Sequence, residues 1–256
     1  MRLLLINPNI SESVSALIRD EALRSASAGT EIEVVTASAG VAYIETRFEA
    51  MLGAHAAAQL AAQHHGKADA VIIAAFGDPG LLALREVMPC PVTGLSEAAL
   101  ASACLLGQRF SIVAISQRIR AWYGETVNAY GLASRLASIR ALDEPLPDIG
   151  QVQTTQAERL VQLAERCVSA DGADVIVLAG APLAGLARSI AGRIPVPVLD
   201  GVGSAVRQAE TLVRLGAAPA SGGSFAPPPE KPHRGLSPEI AALLGHAQQR
   251  RVRRAD

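Results

Sequence analysis

The sequence predicts an α/β protein made of two similar Rossmann-like lobes with mainly parallel sheets, related by a pseudo-twofold axis, with a ligand cleft between them. One observation behind this prediction is the run Val71–Ala75, which is apolar without alternation and ends in a Gly-Asp-Pro-Gly turn. Such a strand is typically buried on both faces, as in a parallel sheet. A second observation is that residues 68–81 recur without a gap at 173–186, an offset of 105 positions that pairs Ala75 with Gly180.

Two further segments repeat in the same order at nearly the same spacing. Residues 2–9 align with 109–116, and residues 91–94 align with 197–200. Three strand-like segments that recur in one order indicate a duplicated α/β unit. Because ligands of open parallel sheets lie beyond the carboxyl ends of the strands, positions 75 and 180 are expected on opposite walls of one cleft.

Strand and helix patterns alternate along both halves of the chain. Short apolar or alternating runs bounded by turn residues predict strands, and apolar residues at helical spacing predict helices. In the first lobe these are strands at 3–6, 31–38, 71–75 and 91–94 and helices at about 11–28, 46–65, 81–87 and 96–100. In the second lobe they are strands at 111–115, 138–142, about 173–179 and 197–200, helices at about 118–131, 155–169 and 204–215, and a Pro-broken loop at 143–150.

The chain of 256 residues is long enough for two lobes of about 100 residues each. We expect a first lobe at 1–105, completed by 201–217, and a second lobe at 106–200. Residues 218–256 are expected to form a Pro/Gly-rich arm and a short C-terminal helix. The run Arg250–Arg254 is expected to be a solvated tail.

Composition favours a small-molecule partner. A net charge of −1 and a pI near 6.5 give no electrostatic footprint for nucleic acid or a membrane surface. Without a run of 18 apolar residues or a signal-peptide pattern, we expect a cytoplasmic protein. Cys90, Cys104 and Cys167 are odd in number and lack metal-ligand spacing, so neither a metal site nor a disulfide framework is expected.

Polar side chains follow the predicted strands at the points where ligands are expected. They are Asn9, Tyr43, Glu45, Asp78, Ser96 and Ser116. The amino end of the helix that Ser96 opens is suited to receive an anion. Structural roles remain open for the same residues, since Asp78 and Ser96 are natural helix caps, Glu45 suits a first helical turn and Tyr43 can be part of the packing.

Seven motifs spread over nearly the full length carry a family resemblance. They are Asn7-Pro-Asn9, Tyr43-Ile-Glu45, Phe76-Gly-Asp-Pro-Gly-Leu81, Gly94-Leu-Ser-Glu-Ala98, Arg118-Ile-Arg-Ala-Trp-Tyr123, Pro197-Val-Leu-Asp-Gly201 and Ala226-Pro-Pro-Pro-Glu-Lys231. With them the chain resembles the aspartate/glutamate/hydantoin racemase superfamily, and within it the hydantoin/allantoin racemase branch. The Phe-Gly-Asp-Pro-Gly segment and the Pro-rich tail are the more specific motifs.

The resemblance implies cofactor-independent inversion at a carbon next to a carbonyl, carried out by two cysteines. Inversion needs one acid/base group on each face of that carbon, and thiols with a near-neutral pKa act in either direction. This chain departs from the pattern at both positions, which Ala75 and Gly180 occupy. Neither residue can carry a proton, so the usual two-cysteine racemisation is expected to be lost.

We therefore expect no cofactor, a homo-oligomer, and a pocket for a hydantoin-, amide- or carboxylate-like compound. The candidate substrate-binding residues are Asn9, Tyr43, Glu45, Ala75, Phe76, Gly77, Asp78, Ser96, Ser116, Gly180 and Ala181. Three explanations for the missing thiols stay open: a homologue with changed chemistry, such as a lyase, decarboxylase or hydrolase, a non-catalytic binding homologue, or a chain whose cysteines were substituted. The unmatched pair of Ala and Gly favours natural divergence over deliberate substitution.

Overall fold

The computed structural model describes residues 1–143, 148–216 and 219–252 and confirms the predicted fold class. It contains two four-stranded parallel sheets, with strand orders β2-β1-β3-β4 and β6-β5-β7-β8. The strands are β1 (Arg2–Asn7), β2 (Glu31–Thr36), β3 (Ala70–Ile73), β4 (Val92–Gly94), β5 (Phe110–Ala114), β6 (Leu136–Ala141), β7 (Val175–Leu178) and β8 (Val198–Asp200).

Helices connect the strands in both halves. They are α1 (Glu12–Ser25), α2 (Arg47–Gln63), α3 (Leu81–Val87), α4 (Leu95–Leu106), α5 (Arg120–Ala129), α6 (Val152–Thr155), α7 (Ala157–Ser169), α8 (Leu186–Ser189), α9 (Gly201–Arg214) and α10 (Pro238–Val252). Side chains set several of these boundaries. Ser11 caps α1, and Thr46 and Glu49 form a reciprocal capping box at the start of α2.

The sequence repeat reappears in the main-chain hydrogen bonds. The Ala74 N–H donates to Ile6 O at 2.8 Å, and the Ala179 N–H donates to Val113 O at 2.8 Å, again 105 positions apart on the donor side. The carboxylates that precede β3 and β7 repeat as well: Asp69 accepts the Arg2 N–H at 2.7 Å, as Asp174 accepts the Arg109 N–H at 2.9 Å. The pairing of β1 with β3 therefore matches that of β5 with β7, whereas β5 pairs with β6 through a register shift between Phe110 and Ser111 that β1 and β2 lack.

Alternate strand residues feed different hydrophobic cores. Leu3, Leu5 and Ile72 of one sheet lie in the same core as Ile112 and Val177 of the other sheet, so this core joins the two halves. The opposite faces of the sheets lie in two outer cores, of which the first-sheet one is covered by α2, α3 and α10 and the second-sheet one by α7 and α8. Burial on both faces explains why the strands are apolar without alternation.

Helix α9 packs against α4, α1, β3 and β4, although it directly follows the last strand of the second sheet. Buried Glu210 fixes it to the chain after α1, accepting hydrogen bonds from the Ser27 N–H at 2.8 Å and from the hydroxyls of Ser27 and Thr30, each at 2.6 Å. These contacts suit the expectation that residues 201–217 complete the first lobe, and the stated lobe boundaries stay a prediction.

Two regions differ from the sequence expectations, and other predicted segments fall on residues that the structure does not describe. The predicted helix at 155–169 is divided at Gln156, whose backbone leaves the helical region, into α6 and α7. The C-terminal helix is not short but spans Pro238–Val252, and Arg250 is docked rather than solvated, since its guanidinium donates to Met88 O at 2.8 Å and to Val87 O. Residues 144–147 of the Pro-broken loop, and 253–256 of the tail, lie outside the described residues. Within the described part, none of the helices has the length and apolar character needed to cross a bilayer.

Candidate functional site

The two positions that lack the expected thiols occupy equivalent strand ends. Ala75 follows β3 and Gly180 follows β7, and both are buried. Their backbones differ, because Gly180 has φ +114° whereas φ of Ala75 is not positive. Asp78 is the one non-glycine residue with positive φ in the described ranges. A Cβ at Gly180 would have its nearest neighbours at 3.6 and 4.0 Å, so space is present while the conformation favours glycine. That the two positions face each other across a cleft stays a prediction.

Aromatic side chains of α5 pack on the turn that follows β3. The rings of Phe76 and Tyr123 have centroids 4.8 Å apart. A Cβ at Gly77, where φ is +94°, would lie 2.2 Å from Trp122 Cζ2, so the absence of a side chain at Gly77 is what admits the indole. This contact brings the second half of the chain onto the candidate turn of the first.

Asp78 is fully engaged by hydrogen bonds. Its Oδ1 accepts the Ser96 N–H at 2.8 Å, and its Oδ2 accepts the Glu97 N–H at 2.8 Å and the Tyr130 O–H at 2.6 Å. Burial raises the pKa of this carboxyl from 3.8 to about 6, against the lowering effect of these three bonds. The contacts assign Asp78 to capping α4. Direct contact of Asp78 with a ligand stays a prediction.

Ser96, Asn9 and Ser116 take part in the local structure of the strand ends. The Ser96 hydroxyl is fully buried and accepts the Gly77 N–H. Asn9 Oδ1 accepts the Ser11 N–H at 2.9 Å and lies 3.2 Å from Asn7 Nδ2, which forms a closed turn after β1. Ser116 accepts the Arg118 N–H at 3.3 Å and so begins the 3-10 turn Gln117–Ile119.

Tyr43 differs from these residues because its hydroxyl is buried without a hydrogen-bond partner in the described structure. Burial raises the pKa of Tyr43 well above its ordinary value, with smaller contributions from Tyr123, Glu45 and Glu49. The hydroxyl therefore stays protonated and is an unused donor. The Glu45 N–H donates to Glu49 Oε2 at 2.8 Å. Glu45 lies just before Thr46, the N-cap of α2, so it is outside the first helical turn expected for it, and Glu49 is the acidic residue of that turn.

The three cysteines lie away from the carboxyl ends of β3 and β7. Cys90 lies beside Asp69, at the amino-terminal end of the first sheet, and burial raises the pKa of its thiol to about 11. Cys167 lies in α7, and burial raises its pKa as well. Cys104 lies in α4 with its carbonyl bonded to Arg135. Among residues 1–143, 148–216 and 219–252, His, Cys, Asp and Glu form no group of three suited to hold a metal ion.

Comparison with known proteins decides the family. A sequence model described as Asp/Glu/Hydantoin racemase matches residues 3–209. The chain belongs to the Asp/Glu/Hydantoin racemase family. It is 38% identical over 238 residues to a hydantoin racemase of Paenarthrobacter aurescens, covering 90% of this chain and 99% of that protein. A hydantoin racemase of Rhizobium meliloti is 32% identical over 249 residues, covering 96% and 98%.

Solved structures agree with the fold. An allantoin racemase from Klebsiella pneumoniae superposes with a TM-score of 0.89 at 34% identity, covering 94% of this chain and 98% of that one. An arylmalonate decarboxylase superposes with a TM-score of 0.61 at 17% identity, covering 85% and 94%, and this likeness concerns the fold alone. The resemblance to the hydantoin and allantoin racemases is thus confirmed.

Sequence reasoning assigned no role at the site to Tyr130 or Gly94, and both contact Asp78 or make room for it. Tyr130 bonds Asp78 across 52 positions of sequence, and no local pattern predicts that contact. Gly94 has its role for a steric reason: a Cβ there would lie 2.2 Å from Asp78 Cγ. The repeat does distinguish this position, because it pairs Gly94, which has no side chain, with Asp200, which has a carboxylate.

We predict that Gly94→Ala destabilises the protein by about 1–3 kcal/mol, because the added methyl overlaps the Asp78 carboxylate. Gly124→Ala is the matched control, since Gly124 lies in α5 and a Cβ there would meet only Ile139 Cδ1, at 3.9 Å. This control is expected to stabilise the protein by about 0.5–1 kcal/mol. Urea unfolding measures both. Equal midpoints for the two variants would contradict the packing account.

We predict that Tyr130→Phe lowers the free energy of unfolding by about 2 kcal/mol near pH 8 and by about 1 kcal/mol or less near pH 5. The lost O–H stabilises the ionised form of Asp78, so its removal raises the pKa of Asp78 further above about 6. Because the native pKa exceeds the unfolded one, Asp78 lowers stability as pH rises from about 4 to about 6, and the variant extends this fall to higher pH. Urea unfolding across pH checks it; a pH-independent difference would count against it.

Proposed function

We propose that this chain binds a small carbonyl or carboxylate compound, of hydantoin-, amide- or carboxylate-like chemistry, between its lobes and without a cofactor. We further propose that it has lost the two-thiol racemisation of the family branch it resembles. The observation that carries the first part is the buried, unpartnered hydroxyl of Tyr43. The second part is carried by the absence of a proton carrier at Ala75 and Gly180.

A buried hydroxyl without a partner costs free energy, roughly 1–3 kcal/mol by mutational measures. An oxygen acceptor on a ligand would remove this cost, and carbonyl and carboxylate groups supply one. The surroundings of Tyr43 suit such a ligand, because its ring packs against both the core that joins the sheets and the outer core of the second sheet. Its raised pKa keeps the proton in place, so Tyr43 would donate rather than act as a base.

Loss of racemisation follows from the chemistry of inversion. A proton must leave one face of the reacting carbon and return on the other, so two carriers are needed. The thiols of Cys90 and Cys167 have raised pKa values and lie elsewhere, and Asp78 is bound by three donors. None of these groups offers the missing pair.

The alternative is a lyase, decarboxylase or hydrolase acting in the same pocket, in which backbone donors stabilise developing negative charge. The two functions differ in their products, because a binding homologue returns the ligand unchanged. We also propose that the protein is cytoplasmic and assembles as a homo-oligomer.

We predict that Tyr43→Phe leaves the free energy of unfolding unchanged or higher, yet weakens hydantoin binding about tenfold, because the hydroxyl gains a partner only in the complex. Urea unfolding and calorimetric titration with a 5-substituted hydantoin and with its carbamoyl amino acid measure the two effects. Mass spectrometry of the recovered ligand detects turnover, which would favour the altered enzyme. A loss of stability with unchanged binding would show that Tyr43 is only part of the packing.

We predict that the unmodified chain neither racemises single hydantoin or allantoin enantiomers nor exchanges their α-proton in heavy water, since each missing acid/base group is worth about 10²–10⁴ in rate. The variant with both Ala75→Cys and Gly180→Cys should gain racemisation, and either single change should give exchange at most. Optical rotation and deuterium uptake are the measurements.

Stability of the single variants provides the control. Ala75→Cys is expected to be nearly neutral, whereas Gly180→Cys is expected to cost about 1–3 kcal/mol because its φ of +114° suits glycine. Rapid racemisation by the unmodified chain would refute the proposed loss. A double variant that folds and binds a hydantoin but exchanges no proton would refute the assignment of these two positions.

A further inference from the structure

A cavity of about 620 Å³ lies along the outer edge of the second sheet, bounded by β6, the start of α5 and helix α7. Its charged lining consists of Arg120, Arg140, Arg159, Arg166, Asp143 and Asp171. None of the candidate substrate-binding residues lines it. We propose that this basic groove binds a small organic compound that carries two oxyanion groups, such as a diphosphate or a dicarboxylate.

The first argument is charge. Arg140 forms a two-pronged pair with Asp171 at 2.6 and 2.8 Å, and Arg159 bonds Asp143 at 2.7 Å. The other two arginines have no carboxylate partner in the part of the chain that the structure describes. Arg120 bonds only the neutral side chain of Gln117, at 3.0 Å. Two positive charges are left over, and guanidinium groups pair best with carboxylate and phosphate oxygens.

The second argument is the placement of those two charges. Helix α5 packs on the face of β6 that carries Ile139, as the approach of Gly124 to Ile139 shows. Helix α7 packs on the other face, where Arg140 reaches Asp171 just beyond the helix end. Arg120 and Arg166 therefore lie on opposite sides of the strand edge. A ligand with one anionic group cannot neutralise both, whereas a ligand with two can.

The third argument is an internal comparison between the two halves. The first half has a groove of about 240 Å³ between the turn after β2 and helix α2, with no Arg, Lys, Asp or Glu in its lining. Four of its six α2 positions, Leu52, His55, Ala56 and Gln59, correspond to Arg159, Gln162, Leu163 and Arg166 of the second groove at a constant offset of 107. The first half thus has a groove at these helical positions without arginines, so the arginines of the second half are not needed to form one.

The size of the cavity and the few apolar side chains in its mainly polar lining fit a small organic ligand rather than a bare ion. A volume near 620 Å³ lies within the range of small-molecule pockets, roughly 300–1,000 Å³. Ile139, Leu142 and Leu163 contribute apolar surface beside the arginines. Such a lining leaves room for a carbon body between the two anionic groups.

Calorimetric titration of the full chain with inorganic pyrophosphate, inorganic phosphate and malonate tests the proposal. Pyrophosphate or malonate should bind at least about tenfold more tightly than phosphate, and the tighter of the two identifies the oxyanion chemistry. Arg166→Gln, which copies Gln59 of the first groove, and Arg120→Gln should each weaken that binding about tenfold. Arg19→Gln removes the same charge from the exposed face of α1 and should leave it unchanged.

Two outcomes would overturn the proposal. If neither pyrophosphate nor malonate binds, at low ionic strength and again at about 0.15 M salt, the groove has no such ligand. Equal weakening by Arg19→Gln and by the two groove variants would show general charge attraction instead. Tyr43→Phe should leave the binding of pyrophosphate and malonate unchanged, so the outcome is independent of the function proposed for the cleft.

Discussion

The Asp78 carboxylate is the interaction on which the candidate site depends. It joins three separate parts of the chain, because the residue belongs to the turn after β3, its oxygens bind the first N–H groups of α4, and Tyr130 reaches it from the end of α5. Asp78 accepts a left-handed backbone, with φ 49°, to do so. The three donors offset part of the cost of that conformation and of burying a carboxyl. The positions of Phe76, Gly77 and Ser96 follow from this junction.

In the second half, a different residue caps the equivalent helix. Helix α4 begins after Gly94 without a side-chain cap of its own, whereas α9 begins after Asp200, whose carboxylate accepts the Gly203 N–H at 2.8 Å. Burial raises the pKa of Asp200, as it does that of Asp78. One half thus carries its capping carboxylate on the strand end and the other on the preceding turn. The duplicated halves share their strand order and differ in side-chain chemistry, and the grooves beside α2 and α7 differ in the same way.

Sequence reasoning predicted most of the fold because the signals were local and repeated. Unalternating apolar strands, Gly and Pro at their ends, and a constant offset are properties of neighbouring residues, and they gave α3 at its observed bounds. The contacts that shape the site were out of reach, since Tyr130 and Trp122 act on a turn some 45 to 52 positions away. The docking of Arg250 on Met88 was missed for the same reason. The unpartnered hydroxyl of Tyr43 is a property of packing, so only its location could be predicted.

The conformation of Gly180 has a consequence for how easily this chain could hold two thiols. A single substitution can place a thiol at Ala75 at little expense, but the same substitution at residue 180 meets a backbone that suits glycine. A thiol at residue 180 is therefore the more costly of the two, because its backbone must be strained or must shift to hold a side chain. The two halves would lose unequal amounts of stability on gaining a thiol, so the glycine at residue 180 opposes a two-thiol arrangement more than the alanine at residue 75 does.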